Sequence, residues 1–207
     1  LSLYALLPIL SRLEQSSAGI MISFLRRALF LFFAGMAAVA GILFVFAPVL
    51  APLAAPGLAS PELILLMRIL LLQPILLGAS NIVASLTQLR HRFVLYSISP
   101  LLYNLGIIFG VVFLYPHIGI AGLAWGVVLG ALMHVAVQAP FFIGEKEEPI
   151  SWRETFAHLK EVLVLSVPRT LTLAAGQISI FILVALASLF TAGSISVFMF
   201  AYNLQAV

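Results

Sequence analysis

Apolar residues run along this chain in long blocks, broken by short polar or proline- and glycine-rich stretches. Each block is about 20 residues or more, enough for a helix to cross a hydrocarbon core of about 30 Å at about 1.5 Å per residue. The blocks lack period-2 alternation, which excludes transmembrane strands. The pattern predicts a helix end at residues 1–13 and full spans at 25–48, 62–87, 94–115 and 119–143. A long helix is expected at 155–190, and another starts near 194. The punctuation between blocks sets these limits. APVLAPLAAPGLASP (47–61) holds four prolines and a glycine and is expected to end the helix before it. YPHIG (115–119) and TAGS (191–194) read as tight turns. GEKEEPISWRE (144–154) is the strongly polar stretch and the linker candidate.

Composition turns the pattern into a fold class. The chain is 63% hydrophobic and 8% charged, with a mean hydropathy of +1.21, far from the roughly 25% charge of soluble domains. The expected class is therefore all-α: a polytopic transmembrane helix bundle. Between Ala28 and Gly144 the charged residues are Glu62, Arg68, Arg90 and Arg92. The chain opens at Leu1 and stops at Val207 inside an apolar stretch, so an internal fragment of a longer protein is expected. There is no cysteine, so disulfides and thiolate metal sites do not enter, and no cofactor or metal ligand set is expected. A net charge of +3 would suggest nucleic acid in a soluble domain. Here the basic residues lie in loops and report topology, so membrane lipids rather than nucleic acid are the expected surroundings.

The sidedness is legible. Eight basic residues, Arg12, Arg26, Arg27, Arg90, Arg92, Lys146, Arg153 and Lys160, fall in loops on one face, and the opposite loops carry none. By the positive-inside rule the basic face is expected to be cytoplasmic. The other two, Arg68 and Arg169, fall inside predicted spans.

These two arginines are the candidates for chemistry. Arg68 lies about seven residues, or roughly 10 Å, into its helix; its head either snorkels to the near interface or supplies a fixed positive charge to an anionic group. Glu62 is six residues away and points about 120° off, which makes it a poor partner. Gln73 and Asn81 add polar contacts farther along the same block. Arg169 lies nine residues beyond Lys160, about 13–14 Å deep, where snorkelling is hardest. Pro168 beside it is expected to free a carbonyl and kink the helix. Gln177, eight residues on, shares nearly the same face. Network or packing roles are the plainer reading for Tyr103, Asn104, His134 and Gln138.

Glycines recur every four positions in GLAWGVVLG (Gly122, Gly126, Gly130) and in GIIFG (Gly106, Gly110), a pattern that lets helix backbones approach closely in lipid. Glu145, Glu147 and Glu148 beside Lys146 read as a solvated charge run. WRETFAHLKEVL (152–163) puts Trp152, Phe156, Leu159 and Leu163 on one face, as in a helix lying at the membrane interface.

Several stretches together resemble the MurJ/MviN family of the multidrug/oligosaccharidyl-lipid/polysaccharide exporter superfamily: LMRILLLQPILLGASNIVASLTQLRHRFVLYSISPLLYNLGIIFG, GIAGLAWGVVLGALMHVAVQAPFF and LSVPRTLTLAAGQISIFILVALASLFTAGSISVFMFAYNLQ. ALLPILSRL and APVLAPLAAPGL fit the same order. The resemblance implies a transporter rather than an enzyme: a flippase for lipid II, the undecaprenyl-pyrophosphate-linked peptidoglycan precursor, in the bacterial inner membrane. It implies that residues 1–143 hold the end of helix 2 through helix 6 of a first lobe. Residues 144–154 would then be the cytoplasmic inter-lobe linker, and 155–207 helix 7 and the start of helix 8 of a second lobe. On this reading Arg169, Arg68, Gln177, Gln73 and Asn81 bind a lipid-linked anionic substrate. A drug or cation exporter of the same superfamily is the nearest alternative, and a membrane enzyme acting on polyprenyl-pyrophosphate lipids a more distant one.

Overall fold

In the computed structural model, which describes residues 3–58 and 60–205, the chain is helical almost throughout, and no strand occurs among those residues. The expected all-α membrane bundle is what forms. Helix α1 (Leu3–Ser16) is followed by α2 (Ala18–Ala54), α3 (Pro61–Leu70), α4 (Leu72–Leu89), α5 (Phe93–Phe109), a short α6 (Tyr115–Ile118), α7 (Ile120–Ala136), α8 (Pro140–Ile143), α9 (Trp152–Ala187) and α10 (Ser194–Gln205). Among the described residues, four helical stretches are long and apolar enough to cross a membrane: Ala18–Ala54, Pro61–Leu89, Phe93–Ile118 and Trp152–Ala187.

The limits depart from the sequence reading wherever proline behaves differently from its usual role as a terminator. Helix α2 does not stop at 48. It runs through Pro48 and Pro52 to Ala54, so much of the proline segment is helix. The block at 62–87 is divided into α3 and α4 at Leu71, where Pro74 supplies no N–H for the carbonyl of Leu70. The block from 94 runs on as α5, a π-helical turn over Gly110–Leu114 and α6, with the reversal at Gly119 (φ +64°). Helix α7 ends at Ala136, and Pro140 opens the short α8.

Two seams hold the bundle. The first is the apolar cluster of Leu6, Ile9, Leu10, Met21, Phe24, Leu25, Ile82, Leu86 and Val162, which joins α1, α2, α4 and the early part of α9. The second is the glycine seam between α5 and α7. A Cβ on Gly126 would stand 2.5 Å from the Cα of Gly110, and one on Gly110 would stand 2.9 Å from the Gly122 carbonyl oxygen. Gly106 likewise lies against Gly130. The two backbones touch where any side chain would part them, which is the packing role the spacing predicts.

Helix α9 buries Thr155, Val162 and Ser166 near its start and touches the bundle again at its far end, where the Gly57 N–H donates to the hydroxyl of the buried Ser188 at 3.2 Å. At about 1.5 Å per residue its 36 residues extend about 54 Å, well beyond a hydrocarbon core of about 30 Å.

Candidate functional site

The basic loops predicted to share one face do gather at one end of the bundle, and acidic residues draw them together. Arg12 pairs with Glu161, Arg26 with Glu147, and Arg90 with Glu145. Arg90 Nε also lies 3.6 Å from Glu14. Glu148 accepts from the Ser17 hydroxyl at 2.6 Å, and its backbone carbonyl accepts from Ser23 at 2.5 Å. The acidic run is solvated at Lys146, Glu147 and Glu148, as read from the sequence, but it is not free: three of its carboxylates fasten residues 145–148 across the ends of α2 and α4. Spacing along the chain carried no signal of this, because the partners are 55 to 131 residues away. The fastening ends at a capping box, in which Ser151 accepts from the Glu154 N–H and Glu154 accepts from the Ser151 N–H.

Arg90, His91 and Arg92 close α4 in a Schellman turn. The Arg92 N–H donates to the Thr87 carbonyl at 2.7 Å and the His91 N–H to Gln88 at 3.0 Å, with His91 at φ +56°.

Arg68 has a structural answer to its position. Pro48 lacks the N–H that would fill the Phe44 carbonyl one turn back, and Arg68 Nε donates to that oxygen at 3.2 Å. The guanidinium also stacks over the Phe44 ring at 4.6 Å, and no described carboxylate lies within ion-pair distance of it. It sits at the edge of an apolar groove of about 530 Å³ between α2, α3, α4 and α7, lined by Ala40, Gly41, Leu65, Ile75 and Trp125 among others.

The other predicted residues are distributed. Gln73 Nε2 donates to the Tyr103 hydroxyl at 2.9 Å, joining α4 to α5. Asn81 is exposed on α4. Arg169 and Gln177 are both exposed on the middle turns of α9. Within these residues the five do not converge on one pocket: Arg68 and Gln73 belong to one side of the bundle, and Arg169 and Gln177 to a single helix.

His134 and Gln138 form a network, as expected. Ser80 Oγ lies 2.7 Å from His134 Nδ1, and the fully buried Gln138 amide donates to Ser80 at 3.0 Å and Ser99 at 2.9 Å. This polar cluster ties α4, α5 and α7 together where lipid offers no alternative partner.

Helices of spanning length and a basic end define a multi-pass membrane protein. The family model described as "Lipid II flippase MurJ" matches residues 3–207, so the chain belongs to the MurJ lipid II flippase family. It is 33% identical over 152 residues, 69% of its length, to the probable lipid II flippase MurJ of Buchnera aphidicola. It is 26% identical over 165 residues, 76% of its length, to the lipid II flippase MurJ of Burkholderia cenocepacia. The chain spans 29% and 32% of the lengths of these two relatives.

Proposed function

We propose that this chain is part of a flippase that carries lipid II, an undecaprenyl-pyrophosphate-linked peptidoglycan precursor, across the bacterial inner membrane by alternating access between two lobes. Membership of the MurJ family carries this reading. The physical requirement is that a polar headgroup cannot cross hydrocarbon unaided, so the protein must offer it a hydrophilic interior while the polyprenyl tail stays in lipid. Residues 1–143 are the end of helix 2 through helix 6 of the first lobe, 144–154 the cytoplasmic linker, and 155–207 helix 7 and the start of helix 8 of the second. The non-helical stretch before Ser151 supports that division.

Arg169 is the leading substrate residue in this reading. A charge near mid-membrane costs at least about 2.5–3.5 kcal/mol, and the helix that bears it exposes the following turns, Gln177 included, instead of burying them against the first lobe. Arg68, Gln73 and Asn81 supply further polar contacts. A drug or cation exporter would be expected to place carboxylates in its spans. The acids here are Glu14, Glu62, Glu145, Glu147, Glu148, Glu154 and Glu161, all at helix ends or in the linker region, and this favours an anionic substrate. The same distribution disfavours an enzyme, which would need acids or histidines clustered at the reacting bond.

In the full-length protein, Arg169→Ala is expected to abolish lipid II flipping and weaken lipid II binding while expression and thermal stability hold. Arg169→Lys should recover part of the binding, because an ammonium cannot reproduce the bidentate fork. Normal lipid II affinity in a folded Arg169→Ala protein would remove Arg169 from the substrate site.

A further inference from the structure

A second cation, at the basic end of α2, stands in different surroundings from its neighbours. Arg26 is neutralised by Glu147, but Arg27 meets no described carboxylate. Its Nη1 donates to the Thr155 hydroxyl at 3.3 Å, and its guanidinium stacks on Trp152 at 4.4 Å. Both contacts come from the first turn of α9, so the charge is held, half-buried, in the crevice between α2 and α9. The acids of the first three turns of α9 are engaged elsewhere, Glu154 with Ser151 and Glu161 with Arg12.

An apolar groove begins one helical turn beyond this contact. It has a volume of about 330 Å³ and is lined by Ala28, Phe32, Gly35, Val39, Leu159 and Leu163. Leu159 is one turn past Thr155, and Val39 lies twelve residues past Arg27, so the groove follows α2 for about 18 Å toward the middle of the span. Its flanks are exposed apolar side chains, Phe33 on α2 and Val164 on α9, which fits a groove that opens onto hydrocarbon and not onto water. Trp152 and Phe156, both about half exposed, stand at its head, at the depth that amphipathic aromatics take at a membrane interface.

We infer that this crevice is a binding site for an anionic glycerophospholipid of the leaflet on the basic side, with its phosphate at Arg27 and one acyl chain in the groove between α2 and α9. A fixed cation whose protein partners are a hydroxyl and an aromatic face retains its charge for an outside anion, and the groove below it accepts hydrocarbon and nothing polar. The site is separate from Arg169 and from the lipid II reading. It also lies where α9 leaves the first lobe, so a bound lipid bridges the docked start of α9 to α2.

The experiment uses the full-length protein in detergent, with phosphatidylglycerol and phosphatidylcholine of identical acyl chains competing for retention in native mass spectrometry. The wild-type protein should retain phosphatidylglycerol preferentially, and the preference should shrink as ionic strength rises. Arg27→Gln should lower phosphatidylglycerol retention about fivefold, toward that of phosphatidylcholine. Gly35→Leu, whose new side chain meets open space, should reduce retention of both lipids by filling the groove, with thermal stability unchanged. Arg169→Ala should leave lipid retention as it is, which separates this site from the substrate reading. A salt-independent preference, or a preference that survives Arg27→Gln, would overturn the inference. So would retention indifferent to Gly35→Leu, the outcome expected if another helix of the full-length protein fills the groove.

Discussion

Arg68 illustrates how a residue's position can have a cause that neither of its obvious explanations contains. Snorkelling and substrate binding are the two options visible in an apolar run with one arginine. The geometry adds a third, a proline-orphaned carbonyl on α2 that needs a donor, and Arg68 Nε provides it. The third role is compatible with a contribution to substrate binding, since the terminal nitrogens are not used by that bond. It has its own test. Arg68→Gln should destabilise the protein by about 1–3 kcal/mol, the cost of leaving a carbonyl without a partner where lipid offers none. In a Pro48→Ala background, where the helix supplies its own N–H to Phe44, the same substitution should cost measurably less. Equal costs in the two backgrounds, read from thermal unfolding in detergent, would refute the link between Arg68 and Pro48.

At the scale of elements, the glycine seam is where sequence spacing and packing agree most closely. Gly126 and Gly110 meet backbone to backbone, and neither α5 nor α7 can move aside without opening the contacts of Gly106 and Gly130 on the same stripe. Gly126→Leu should therefore cost more than the 1–3 kcal/mol or so of ordinary overpacking, because the obstacle is backbone and not the end of a flexible side chain. The expected result is a large loss of thermal stability or of folded yield. Unchanged melting would mean that the seam is looser than its geometry. The helix limits were less legible, and the reason is local. Proline removes one donor, and whether the helix stops depends on what happens to the carbonyl left behind. At Phe44 a side chain from another helix takes it and α2 continues; at Leu70 the chain turns into α4 instead.

For the whole molecule, the basic end and the latch across it organise the packing of α1, α2, α4 and the start of α9. Two ion pairs and two serine contacts hold residues 145–148 against α2 and α4, and each exposed pair by itself is worth only about 0–1 kcal/mol. Together with the Arg12–Glu161 pair they attach residues 145–148 and the start of α9 to α1, α2 and α4. We propose, from the positive-inside rule, that the basic end is cytoplasmic; single cysteines placed at Arg90 and Lys160 of the otherwise cysteine-free segment should then resist an impermeant thiol reagent in intact cells. Cysteines at His117 and Gly193 should react. Labelling at position 90 from outside would invert the topology.

The sequence by itself determined the class and the family: long apolar blocks, one-sided arginines, four-residue glycine spacing and an ordered set of motifs are local or periodic features, and a membrane leaves few ways to satisfy them. It also placed Arg68 and Arg169 within spans. Only the tertiary structure decided what those features meet. The carboxylate partners of Arg26 and Arg90, the carbonyl that Arg68 fills, and the crevice that holds Arg27 all join residues from separate helices. Such contacts depend on the distances and angles at which helices pack, and the order of residues along any one helix does not encode them.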